Sequence, residues 1–254
     1  MNRLNNHRSN PTPRLRLALA ASLCLAGALL SPCGTSALSI SDPTSLPFAN
    51  TLGLGVDFTI DSRKLDDVGT VGTYELMAKV HYSLMDEVGL YVKGGLFRTE
   101  TYSGKTSDFG PAFAIGVKGY FIDWENPDLR VGADIQVMFG KADHSSDSRA
   151  LGRSTDEEIS WIEYAITPVV SWLAYDPLVL YTGLQLTQVK TDYDIDTYNW
   201  LTGTTIRQSF DSNEDQMLGL FWGVTYNVMD TFQIFGEMRA LSEISGSFGM
   251  NFHF

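Results

Sequence analysis

This 254-residue chain has only two cysteines, Cys24 and Cys33. Beyond residue 33 there are none, which excludes disulfides and thiol chemistry from most of its length. Basic residues are also scarce. The chain holds 18 Lys and Arg against 30 Asp and Glu, and Arg3, Arg8, Arg14 and Arg16 all precede Leu38. Residues 38–254 therefore carry 14 bases against 30 acids, a net charge of −16, which argues against nucleic acid as a partner. No stretch after Leu38 approaches the ~18 consecutive apolar residues of a membrane-spanning helix. No Pro- or Ser-rich linker divides these residues, so their length suits one domain. There is no phosphate-binding glycine loop, zinc-helix motif or nucleophile elbow, so no catalytic, cofactor or metal site is expected.

The first 37 residues have the order of a secretory signal. A basic stretch is followed by an apolar run from Leu17 to Leu30, and small Thr35 and Ala37 sit where cleavage would occur. The expected organisation is a cleaved signal peptide over 1–37, a short periplasmic lead-in over 38–50, and one domain over 51–254. Within that domain, apolar side chains alternate with polar or small ones. Tyr74, Leu76, Ala78, Val80, Tyr82 and Leu84 form one such face, opposed by Glu75, Lys79, His81 and Ser83. Period-two alternation over about ten residues is the pattern of a strand with two different environments. Ten such strands are expected, near 51–61, 73–84, 89–99, 109–121, 129–141, 159–174, 178–190, 216–228, 231–240 and 245–254. Merging the last pair, or miscounting the long sixth, would give eight or twelve. Pro168 should place a bulge or kink in the sixth strand. Connections alternate in length, mostly long after odd-numbered strands (62–72, 100–108, 142–158, 191–215), the ninth excepted, and short after even-numbered ones.

The chain ends Phe248-Gly249-Met250-Asn251-Phe252-His253-Phe254, with Phe248, Met250, Phe252 and Phe254 on one face. This ending resembles the C-terminal insertion signal of bacterial outer-membrane barrels. With the alternation and the loop asymmetry, the chain as a whole resembles the small outer-membrane β-barrel proteins of Gram-negative-type bacteria. The resemblance implies an all-β, transmembrane, antiparallel up-and-down barrel of about ten strands in the outer membrane. Its apolar face would meet lipid, its long loops would face outward, and its C-terminal strand would engage the barrel-assembly machinery. Tyr82, Trp172, Tyr226 and Phe254 fall at strand ends on the periplasmic side, where amphipathic rings would form a girdle.

On this register ten charged residues line the lumen. Asp57, Glu75, Asp134, Glu163 and Glu237 face Lys79, Lys93, Lys118, Arg130 and Arg239, five acids against five bases. A balanced set of this kind predicts ion pairs that fill the barrel rather than a selective pore. Tyr91, Phe97, Tyr120, Tyr181, Phe221 and Phe235 also point inward, with glycines making room beside them. Three weaker signals invite chemistry. His81-Tyr82-Ser83 is superficially similar to the His-x-Ser pair of membrane lipid-A deacylases, although same-strand spacing leaves the two side chains about 7 Å apart. Asp143-His144 in an outer loop resembles one part of an omptin-type site. Asp192, Asp194 and Asp196 resemble half of a calcium loop, but Thr197 and Gly203 replace its glycine and glutamate. Tyr193, Tyr198 and Trp200 make the same loop a candidate contact surface. The expected function is therefore non-enzymatic, a structural or surface-interaction barrel, with a small weakly selective channel as the alternative and a barrel enzyme as a remoter one.

Overall fold

The computed structural model describes residues 49–100, 102, 104–123, 129–148, 151–214, 217–241 and 243–254. The expected signal peptide, and all but the last two residues of the lead-in, lie outside them. Eleven strands make one antiparallel sheet: β1 (Leu52–Leu65), β2 (Gly69–Ser83), β3 (Val88–Thr99), β4 (Gly110–Asp123), β5 (Leu129–Ser148), β6 (Arg153–Tyr175), β7 (Leu178–Asn199), β8 (Thr204–Asn213), β9 (Leu218–Met229), β10 (Phe232–Ala240) and β11 (Glu243–His253). Each pairs with its sequence neighbour except around β8. The sheet closes on itself where β1 meets β11, from Gly53 opposite His253 to Arg63 opposite Glu243. Closure leaves no free edge in the wall, which a barrel in lipid requires.

The wall holds ten strands, not eleven. β7 pairs with β9 along Leu178–Leu186 and with β8 along Lys190–Asn199. β8 and β9 therefore share one position, one above the other. The turn between β10 and β11 is short, and above it the wall is completed by an isolated bridge between Leu65 and Glu214.

The outward face explains why the strands form where they do. Leu52, Leu54, Val56 and Phe58 of β1 are 43–45 % exposed, and Leu76 and Val80 of β2 are similar. In water such a face would drive aggregation; in hydrocarbon it is the favourable side. Leu52–Ile60 spans roughly 20 Å once strand tilt is included, close to the apolar band of an outer-membrane barrel.

Three strands are far longer than the ~10 residues a crossing needs. β5, β6 and β7 have 20, 23 and 22 residues. The sequence places outer loops at 62–72, 142–158 and 191–215, but most of those residues continue the ladder. Above the apolar band the outward positions become Lys141, Asp143, Asp156, Glu158, Asp192 and Asp194, polar because they meet water. The alternation of polarity ends while the pairing continues. A second expectation also fails: Pro168 causes no bulge. Pairing with β5 runs straight through it, and the β6–β7 ladder skips 167–168 but resumes at Val169–Gly183 in the same register. The proline's missing donor coincides with a local gap in the β6–β7 ladder.

Aromatic side chains fill the lower barrel by lying across glycines directly opposite them. Tyr91 faces Gly116, Tyr181 faces Gly223 and Phe235 faces Gly249. A Cβ at Gly223 would lie 2.2 Å from the Tyr181 ring, and one at Gly116 would lie 2.3 Å from the Tyr91 ring. Gly223→Val should therefore eject the Tyr181 ring and cost about 1–3 kcal/mol, read as a lower midpoint in urea refolding titrations.

Candidate functional site

Polar and charged side chains line much of the closed interior. Asp57, Glu75, Lys79, Lys93, Lys118, Asp134, Glu163, Glu237 and Arg239 are all buried there, and Arg130 is half-buried near the mouth that holds the termini. Lys93 Nζ donates to Asp57 Oδ2 at 2.8 Å. The Tyr91 hydroxyl lies 2.8 Å from Asp134 Oδ1 and 2.9 Å from Gln136 Oε1, so its single proton serves one at a time. Tyr181 donates to Glu237 Oε1 at 2.9 Å, and Arg239 Nη2 bridges Glu237 Oε2 at 3.2 Å.

The strongest cluster is one the sequence reading does not contain. Arg63 sits on β1 in the stretch read as loop. Its Nε donates to Asp61 Oδ2 at 2.8 Å, its Nη2 lies 3.2 Å from Glu163 Oε1, and its Nη1 lies 3.4 Å from Glu214 Oε2. All four side chains are shut off from solvent. The Trp161 ring lies under the guanidinium at 5.7 Å. The five-against-five balance is accordingly corrected. Among the described residues buried acids number eight, with Asp61, Glu157 and Glu214 added, against five buried bases, Arg63, Lys79, Lys93, Lys118 and Arg239. The acid excess gathers around Arg63 and above it. The signal available in sequence was the polar odd-numbered face Asp57, Thr59, Asp61, Arg63, which runs on past the apolar stretch.

The candidate catalytic motifs separate in space. His81 Nε2 lies 3.1 Å from His253 Nδ1, across Gly53, while the Ser83 hydroxyl has no hydrogen-bond partner among the described residues. Asp143 and His144 lie on strand β5, not in a loop, so they point to opposite faces; Asp143 is opposite Glu158 and His144 opposite Glu157. Asp192, Asp194 and Asp196 lie on β7 and share its outward face. Among the described residues no group of three such side chains is placed to hold a metal ion.

These acids belong to the extension above the band. Asp143, Asp156, Glu158, Asp194, Asp196 and Arg207 line a concavity of about 720 Å³. Arg207 bridges Asp196 at 3.3 Å and Lys141 bridges Glu158 at 2.5 Å. The Glu158 carboxylate raises the Lys141 ammonium above its ordinary pKa. Tyr193 turns inward and stacks on Phe210, against which Tyr102 also packs edge-on. Of the candidate contact residues, Tyr198 and Trp200 remain exposed at 42 % and 43 %, beside Leu201 at 85 %. The Trp200 amide donates to the Gly152 carbonyl at 2.8 Å, tying the tips of the β5–β6 and β7–β8 hairpins together.

At the other end, Phe248, Phe252 and Phe254 are exposed on the outward face of β11, with Met250 half-buried between them. Tyr82 and Trp172 are outward and exposed, at 40 % and 50 %. Tyr226 is not: it is 8 % exposed, covered by Leu178, Ala174, Val224, Val228 and Ile234, so it packs the wall instead of joining a girdle.

The closed ring, the apolar outer band, the polar interior and the short turns at the terminal end together define an outer-membrane β-barrel. No protein-family model and no curated protein sequence matches the chain. Among solved structures it is similar to the outer membrane protease OmpT from Escherichia coli, with a TM-score of 0.50 and 11 % identity over 84 % of this chain and 100 % of that one. It is also similar to the translocator domain of autotransporter NalP from Neisseria meningitidis, TM-score 0.48, 10 % identity, covering 93 % and 98 %. A third is the attachment invasion locus protein Ail of Yersinia pestis, TM-score 0.35, 12 % identity, covering 82 % and 100 %. The OmpT likeness establishes the fold and carries no activity with it.

Proposed function

We propose that this chain is a non-enzymatic outer-membrane barrel with a filled lumen, acting at the cell surface through the joined tips of its β5–β6 and β7–β8 hairpins. The observation that carries this reading is that these strands continue well beyond the membrane and end in exposed Leu151, Trp200 and Leu201. A barrel that served only as a wall would gain nothing from such an extension. The separation of Asp143 from His144 and the pairing of His81 with His253 support a non-enzymatic role. The test replaces residues 192–211 with a tight turn and compares whole-cell adhesion to protein-coated surfaces and autoaggregation. Cells bearing the parent should adhere more than cells bearing the shortened chain. Equal behaviour of the two, and of cells lacking the protein, would remove the surface role.

A small channel is the second reading, and the acid excess inside is the observation that favours it. Any openings that do occur should pass cations in preference to anions. A reversal potential favouring anions would contradict the charge distribution described here.

The lipid and assembly partners follow from β11. Its outward aromatic face meets lipid, and the Phe254 amide donates to the Leu52 carbonyl at 2.8 Å across the closing seam. Deleting Phe254 should lower the amount in the outer membrane and leave material in the periplasm, measured by fractionation. Unchanged outer-membrane levels would count against its role in assembly.

A further inference from the structure

On the outward face, β3 presents Leu90, Val92 and Leu96 to lipid, each 41–46 % exposed. The next outward position after Leu96 is Arg98. It therefore stands at the upper edge of the apolar band, where lipid headgroups begin. Its guanidinium lies against two aromatic rings, 4.5 Å from the centroid of Tyr74 and 4.8 Å from that of Phe109. Tyr74 is its direct cross-strand partner on β2. The shielded Nε has no hydrogen-bond partner, and Arg98 makes no ion pair with any described residue. Two outward cations, by contrast, are bridged by carboxylates, Lys141 by Glu158 and Arg207 by Asp196. The same-face acid two residues on, Glu100, is turned over Gly72.

We propose that Arg98 is a binding site for the phosphate of an outer-leaflet lipid. Contact with both rings restrains the guanidinium, whose planar edge carries its N–H donors. That planar edge matches phosphate oxygens bidentately, and its ordering is already in place before the lipid arrives. The setting supplies the need. A protein with a net charge of −16 over residues 38–254 repels anionic headgroups, so a carboxylate-free cation at headgroup level is where such a lipid can make contact. This site is on the opposite side of the wall from the filled lumen and does not depend on the hairpin tips, so it stands or falls apart from the surface role.

The test uses the full folded protein in neutral detergent and titrates three probes: a diphosphorylated lipid A, phosphatidylglycerol and inorganic phosphate. Binding is read by native mass spectrometry and by the rise in the temperature at which the compact gel band is lost. Either phosphorylated lipid should bind the parent, and Arg98→Gln should weaken it about tenfold. Arg98→Lys, which keeps the charge without the planar fork, should fall between, and Lys190→Gln should match the parent. If Arg98→Gln does not fold, Phe109→Leu serves instead: it keeps the charge, removes one of the two rings, and should weaken binding about threefold. Equal lipid affinity in the parent and the Arg98 or Phe109 variant would overturn the site. So would inorganic phosphate protecting as well as either lipid, because the proposal requires the phosphate to be presented by the membrane.

Discussion

Replacing Arg63 with alanine should be among the most damaging single changes in this protein, costing about 3–5 kcal/mol. The guanidinium contacts Asp61, Glu163 and Glu214 together, all shut off from solvent. Removing it leaves three carboxylates in a low-dielectric interior with their shared counter-charge gone. They would have to take up protons, recruit water or move apart, and each route weakens the wall where β1, β6 and the β8–β9 junction converge. Arg63→Lys should lose less, since charge remains but a single ammonium cannot reach three separated partners as a fork does. The measurement is the urea midpoint of refolding into detergent, together with the temperature at which the compact gel band disappears. An Arg63→Ala protein as resistant as the parent would mean that the cluster is not a structural tie.

The second large effect concerns the outside of the same wall. Ile135 lies near the middle of the apolar stretch of β5, faces outward at 47 % exposure, and stands opposite Ile166. Ile135→Arg puts a cation near the middle of the hydrocarbon and should cost about 2–4 kcal/mol. Its neighbour Gln136 is buried in the interior beside Tyr91. Gln136→Arg places the same charge among carboxylates and should cost less, the remaining penalty being that of fitting a larger side chain. If Gln136→Arg proves the more damaging of the two in refolding titrations, β5 does not present Ile135 to lipid.

The sequence makes legible whatever the membrane imposes. Within the apolar band each strand must alternate, so Tyr74 to Leu84 or Leu129 to Phe139 could be read residue by residue, and with them the inward set Asp57, Glu75, Lys79, Lys93, Asp134 and Glu237. Above the band that constraint ends. Asp192, Asp194 and Asp196 read as a loop because both faces of β7 are hydrophilic or mixed there, while the backbone ladder with β6 and β8 continues unmarked by polarity. Arg63 was hidden for the same reason, since its outward neighbours Ser62 and Lys64 are polar. The acid excess is hidden with it: Glu157 and Glu214 lie in stretches that read as loop, yet both are buried. β8 went unseen as a strand because its ten residues include Thr204, Arg207, Gln208 and Asp211, and nothing apolar marks its outward face. Tyr226 failed differently. Its direction follows from parity, but its burial depends on Leu178 and Ile234 from neighbouring strands, which no single-strand pattern contains.

The central claim is that side chains fill the barrel, and a planar lipid bilayer tests it most directly. Tyr91, Tyr181, Phe221, Phe235 and Trp161 are at most 3 % exposed, and charged groups among them are tied between strands by Lys93–Asp57 and the Arg63 cluster and along β10 by Arg239–Glu237. Purified protein inserted at known density should give little steady current, with any openings small, brief and cation-preferring. Large, stable, ohmic channels from the unmodified protein would contradict a filled lumen and put a pore in its place.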